Sequence, residues 1–155
     1  MPVALSYEYD PCIIDKANEL FAASQGKNYV KREFEDLDSI QKGFVGYKGR
    51  VQVNFGEPIS DHFQNADDLA TEIDRQIHCL YQLFPTNILA WQMQEKRDTA
   101  IVELLRQNWP DEDWVEAEQK FTAHLDSIPD QQRELVINIY ARPVHNQLAY
   151  HQLKK

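Results

Sequence analysis

The sequence predicts an α/β fold, two strands with helices over residues 1–60, followed by an all-helical tail over residues 61–155. Three observations predict it. Val3, Leu5 and Tyr7 alternate with Ala4 and Ser6, and Val51, Val53 and Phe55 share one face of a second alternating run. Beyond Ser60 the apolar residues recur at helical spacing instead. Neither an internal repeat nor a low-complexity tract interrupts either region.

The first strand has small or apolar residues on both faces, the pattern of a strand buried within a sheet, and Asp10-Pro11 ends it. Ile13, Ala17, Leu20 and Phe21 mark a helix closed by Gly26. Phe34, Leu37, Ile40 and Phe44 mark a second, amphipathic helix running to Gly43. Gly46 and Gly49 punctuate the turn into the strand at 50–55, which Gly56-Glu57-Pro58 stops.

In the tail, Asp67 or Asp68 can cap a helix over 68–84 whose stripe is Leu69, Ile73, Ile77, Leu80, Tyr81 and Phe84, ended by Pro85. Thr86 can cap the next, with Ile88, Leu89, Trp91, Ile101, Leu104 and Leu105 as its apolar content, and Pro110 breaks it. Asp111 or Glu112 favours a new helix start, followed by Trp114, Ala117, Phe121 and Leu125. Pro129 breaks again, and Leu135, Val136, Ile139 and Tyr140 close the regular structure.

Composition excludes some functions. A chain of 155 residues with 43% hydrophobic content supports one globular core. The formal charge of −9 disfavours nucleic acid and anionic lipid as direct ligands, because neutralising phosphates needs clustered Lys and Arg. Lys27, Lys31 and Arg32 come nearest to a cluster, and Glu33 and Glu35 dilute it. Cys12 and Cys79 are too few to staple a secreted scaffold and read as reduced thiols, which points to the cytoplasm. Met1 leads directly into a strand-like segment rather than a signal peptide, and no apolar run approaches the roughly 20 residues needed to cross a bilayer.

Five stretches carry a resemblance: "MPVALSY" from Met1, "KANEL" from Lys16, "EDLDSIQKGFVGYKGRVQVNFGEPI" from Glu35, "RQIHCLYQLFPTN" from Arg75 and "ARPVHNQ" from Ala141. In that order they resemble the C-terminal part of the glycerolipid-phosphate acyltransferases, most closely the bacterial 1-acylglycerol-3-phosphate acyltransferase-like group. The resemblance implies that residues 1–60 are the C-terminal remnant of an acyltransferase sheet, with "MPVALSY" as the fourth active-site block. It also implies acyl transfer from a thioester, coenzyme A or acyl carrier protein, to a glycerol-phosphate or lysolipid hydroxyl, with no metal and no cofactor beyond that co-substrate.

In the family a His acts as base and an Asp five residues on orients it, within an Asn-His-x-Ser-x-x-Asp block that precedes the fourth block. This chain has neither that block nor the third-block Glu-Gly phosphate site, so no activity is expected of it alone. His62 and Asp67 reproduce the spacing, but they follow the fourth block and lack its neighbours. Asp67 reads as a helix cap and His62 as a loop residue. Pro2 and Val3 remain as candidate substrate-binding residues, able only to shape the wall of a cleft because neither titrates.

Other chemistry-bearing residues have duller readings. Glu8, Asp10 and Glu57 read as surface turn acids, and Arg50 beside Lys48 suits solvent as well as it suits a phosphate. His78, His124, His145 and His151 show no metal-ligand spacing and read as surface or capping residues, and the five Gly form no phosphate loop. Tyr81, Phe84, Trp91, Trp109 and Trp114 are of the interfacial type, yet helices lying on lipid usually carry Lys and Arg, so core packing is the better reading. A peripheral contact with the inner face of the cytoplasmic membrane and the oligomeric state stay open. The alternative function is that of an acidic helical module that binds a protein partner without catalysis.

Overall fold

The computed structural model describes residues 1–59, 63–94 and 99–152. The fold is mixed α/β and mostly helical. Its elements run β1 (Val3–Tyr7), α1 (Ile13–Ser24), α2 (Glu35–Val45), β2 (Val51–Phe55), α3 (Ala66–Leu80), α4 (Pro85–Met93), α5 (Thr99–Arg106), α6 (Trp114–Asp126) and α7 (Asp130–Gln152). Among the described residues, β1 and β2 form one antiparallel sheet, with Val3 opposite Phe55, Leu5 opposite Val53 and Tyr7 opposite Val51.

That register gives the ribbon two unlike faces. One carries Val3, Leu5, Val51, Val53 and Phe55, all between 43% and 64% exposed. The other carries Ala4 and Ser6, which are buried. The first strand is therefore half-buried rather than enclosed in a sheet as its sequence predicted. Its small residues face inward on the side where α3 packs, and its branched residues face out.

α4 is the centre of the molecule. Ile88, Leu89, Ala90 and Trp91 are all buried, consistent with a helix apolar on every side. It packs against Val136, Tyr140, Ala141 and Val144 of α7 and Phe121 and Leu125 of α6, with Val102 of α5 joining the same core. Tyr9, Ile13 and Ala17 belong to that core too. Tyr81, Trp109 and Trp114 pack against it, and Phe84 and Trp91 are within 3% of full burial, so the aromatic side chains are packing residues.

Several predicted boundaries move. Asn65, not Asp67 or Asp68, caps α3, its side chain accepting from Asp68 N at 2.9 Å. α3 stops at Leu80, so Tyr81 and Phe84 leave the predicted stripe, and Gln76 is its buried residue. Phe84 rather than Thr86 precedes α4, and the side chain of Asn87 supplies the cap by accepting from Phe84 N at 2.8 Å. Asp113 caps α6 through Val115 N and Glu116 N. α7 runs past Tyr140 to Gln152, because Ala141, Val144 and Leu148 extend its buried side.

α2 is the largest departure. Its apolar stripe points outward, with Phe34, Leu37, Ile40 and Phe44 between 57% and 81% exposed. Its polar side faces the protein instead. Lys42 Nζ binds Asp15 of α1 at 2.7 Å, and Ser39 O accepts from Cys12 Sγ at 3.5 Å.

The core assignment has a direct check. Phe121 has no exposed surface, so Phe121→Ala is expected to cost about 3–5 kcal/mol by combined loss of burial and cavity formation. Chemical denaturation should show the lower midpoint with an unchanged slope.

Candidate functional site

Pro2 and Val3 lie at one end of the ribbon. Pro2 is buried and its carbonyl accepts from Gly56 N at 2.9 Å, while Val3 is 44% exposed on the outer face. A Cβ on Gly56 would displace the Gln76 side-chain amide and would sit 3.3 Å from Pro2 O. Behind them Gln76 is 8% exposed and its Nε2 donates to Glu72 Oε1 at 2.8 Å, whereas its Oε1 has no hydrogen-bond partner. Arg75 grips Glu72 with two bonds of 2.6 Å, and these, more than Gln76, hold the Glu72 carboxyl down at about 2.

The opposite end is polar. Glu8 continues the inward face of Ala4 and Ser6, and it is buried rather than a surface turn acid. Arg50 grips it through Nε at 3.0 Å and Nη2, while the Arg50 backbone N donates to the same carboxylate at 3.0 Å. Arg50 Nη1 also donates to Glu112 at 2.7 Å, and its guanidinium lies 4.5 Å from the Trp109 ring centre. The two carboxylates, Glu8 before Glu112, push the Arg50 pKa further up. Arg50 is thus held by two carboxylates and a ring while its side chain stays partly exposed, rather than being a free solvated cation. A cleft of about 240 Å³ opens beside it, lined also by Tyr9, Tyr47, Thr86 and Lys120.

Next to the Arg50 end lies a ring cluster built around Tyr9. His124 is half-buried against Tyr9, Phe121 and Tyr140, so it is a packing residue rather than a surface one. Its Nε2 lies 3.2 Å from Tyr140 Oη, which accepts from Asp10 N at 3.1 Å. Burial holds the His124 imidazole below its ordinary value and raises Tyr9 to about 12. His145 pairs with Gln94 and His78 with Asn146, each through a ring nitrogen. His62 lies outside the described residues, and so does the side chain of His151.

No imidazole is paired with a carboxylate by these bonds, and no group able to hold a metal occurs among the described residues. The bonds at each end can bind and orient. None of them activates a hydroxyl. A wider groove of about 740 Å³ runs beside α7, lined by Leu20, Tyr81 and Ile139 with Lys16, Arg142 and His145, but Lys16 is bound to Asp10 there. Neither Pro2 nor Val3 lines either cavity.

Compared with known proteins, the chain matches no family model, no curated protein and no solved structure. No helix among the described residues is long and apolar enough to cross a membrane.

The sequence named Glu112 as a helix start and Trp109 as a packing aromatic but showed neither beside Arg50, and it left Glu8 reading as a surface acid. One signal was present, because Glu8 lies two residues beyond Ser6 and so shares its face. Nothing in the sequence placed Glu112 beside Arg50, from which it is 62 residues away.

Removing Arg50 leaves Glu8 buried without its cation. Arg50→Met is expected to cost about 2–4 kcal/mol, the lower end allowing for the partial exposure of the pair. Glu8→Gln combined with Arg50→Met should recover part of that loss in a thermal melt. His124 has its own pH window. The unfolded chain takes up a proton near its ordinary value of about 6.5, and the folded chain resists it. The His124 contribution is therefore complete above that value and is lost as pH falls toward the depressed one. His124→Gln should flatten the fall in melting temperature between pH 7 and 5.5.

Proposed function

We propose that this chain is the C-terminal portion of a glycerolipid-phosphate acyltransferase and that it supplies a wall, rather than the acid-base chemistry, of the acyl-transfer cleft. The observation that carries this reading is the inverted character of residues 1–59. The ribbon hydrogen-bonds to the helices through small and polar residues and turns Val3, Leu5, Val51, Val53 and Phe55 to solvent. An apolar face of this kind suits a further protein body better than water. The body required is one bearing the His and Asp that this chain lacks, and the order of the five resembling stretches supports its identity as an acyltransferase.

Within that reading, Pro2 fixes the end of β1 and Val3 presents an uncharged side chain where the two bodies meet. The donor is an acyl thioester of coenzyme A or acyl carrier protein, and the acceptor is the hydroxyl of a glycerol-phosphate or lysolipid. Any membrane contact is peripheral. The alternative, a non-catalytic protein-interaction module, makes use of the same exposed face and differs in its outcome.

Complementation separates them. Mixed with a bacterial glycerolipid-phosphate acyltransferase truncated before its fourth block, the chain should restore acylation of glycerol 3-phosphate or lysophosphatidate, and Val3→Asp should abolish the rescue while leaving the helical circular dichroism intact. The chain alone should show no turnover. Binding without rescue would select the interaction module, and turnover by the chain alone would remove the acyltransferase-fragment reading.

A further inference from the structure

The two edges of the ribbon are not alike. Gly56 N donates to Pro2 O and Glu8 N donates to Arg50 O, so the residue pairs 2–56, 4–54, 6–52 and 8–50 are the hydrogen-bonded ones. The backbone groups of Val3, Leu5 and Tyr7 then point off the β1 edge, and those of Val51, Val53 and Phe55 off the β2 edge. The β1 edge is partly covered, because β1 packs against α3 and Tyr7 is half-buried. On the β2 edge the one contact described is a long 3.4 Å approach of Gln52 Nε2 to Val53 O.

Unpaired strand edges template the addition of another strand, and proteins usually blunt them with Lys, Pro or a bulge. β2 has none of these between residues 51 and 55. We propose that β2 pairs with β2 of a second copy of this chain, antiparallel about a two-fold axis at Val53, to give a four-stranded sheet in the order β1-β2-β2-β1.

Self-complementarity and the absence of charge within β2 favour a second copy as the occupant. Centred on Val53, the register sets Val53 opposite Val53 and Val51 opposite Phe55, so all three outward-pointing residues of each copy fall in hydrogen-bonded pairs at once. The strand contains no ionisable residue, so a chain of net charge −9 can approach itself along this seam without opposing carboxylates. The apolar outer faces of the two ribbons become continuous and stay available, so the pairing neither requires nor prevents the acyltransferase reading.

Val53→Pro is the discriminating variant. Its N–H points away from β1, so proline there removes the central donor of the seam and spares the β1–β2 ladder. Sedimentation equilibrium of the full chain should show concentration-dependent dimers, and Val53→Pro should weaken them at least about tenfold with unchanged circular dichroism. Amide exchange should slow at Val51, Val53 and Phe55 as concentration rises. A chain that stays monomeric, dimers unaffected by Val53→Pro, or exchange at those three amides independent of concentration would each overturn the proposal. If Val53→Pro unfolds the chain, the exchange of the unsubstituted protein alone decides.

Discussion

The ribbon is held to the helices by polar bonds, and most of the molecule's features depend on that. Arg50 joins Glu8 of the strand's inward face to Glu112, which precedes α6. Ser6 Oγ accepts from Gln82 N at 2.9 Å, Asn54 Nδ2 donates to Leu80 O at 2.7 Å, and Thr86 Oγ1 donates to Glu8 O at 2.8 Å. Each of these bonds satisfies a group that burial would otherwise leave unpaired, at a cost of about 1–3 kcal/mol. With the inner face committed to polar contacts, the apolar side chains of both strands have only the outside left.

The helical core follows a different rule. α4 is enclosed on all sides, and Asn87 shows how its few polar atoms are handled: Oδ1 accepts from Phe84 N, and Nδ2 donates to Tyr140 O of α7 at 3.0 Å. Tyr140 in turn reaches back to Asp10 beyond β1. One buried network thus connects the start of α4, the middle of α7 and the end of the first strand. Tyr9, Ile13 and Ala17 pack into the same core, so the helices and the segment after β1 share their stabilisation.

Much of this was legible in the sequence. Two-residue alternation located both strands, and Pro85, Pro110 and Pro129 marked three of the breaks between helices. What periodicity cannot supply is which way a face turns. The stripe Phe34, Leu37, Ile40 and Phe44 reads as a buried face and is exposed, because Lys42, Ser39 and Glu35 make the inward contacts of α2. The strands invert for the same reason. Long-range ion pairs were equally out of reach, since Arg50 reads as a solvated cation until Glu112 is brought beside it. The two proposed site residues, Pro2 and Val3, separate on folding into one buried and one exposed side chain, a distinction that follows from strand alternation once the inner face is known.

The polar side of the ribbon faces in and the apolar side faces out. Comparing Ser6→Val with Leu5→Thr in the same thermal and denaturant unfolding measurements tests that orientation. Ser6→Val leaves Gln82 N–H without its acceptor and should lose about 1–3 kcal/mol, although it makes the strand more hydrophobic. Leu5→Thr acts on a half-exposed side chain and should stay within about 1 kcal/mol. The reverse order, a harmless Ser6→Val and a severe Leu5→Thr, would contradict the account.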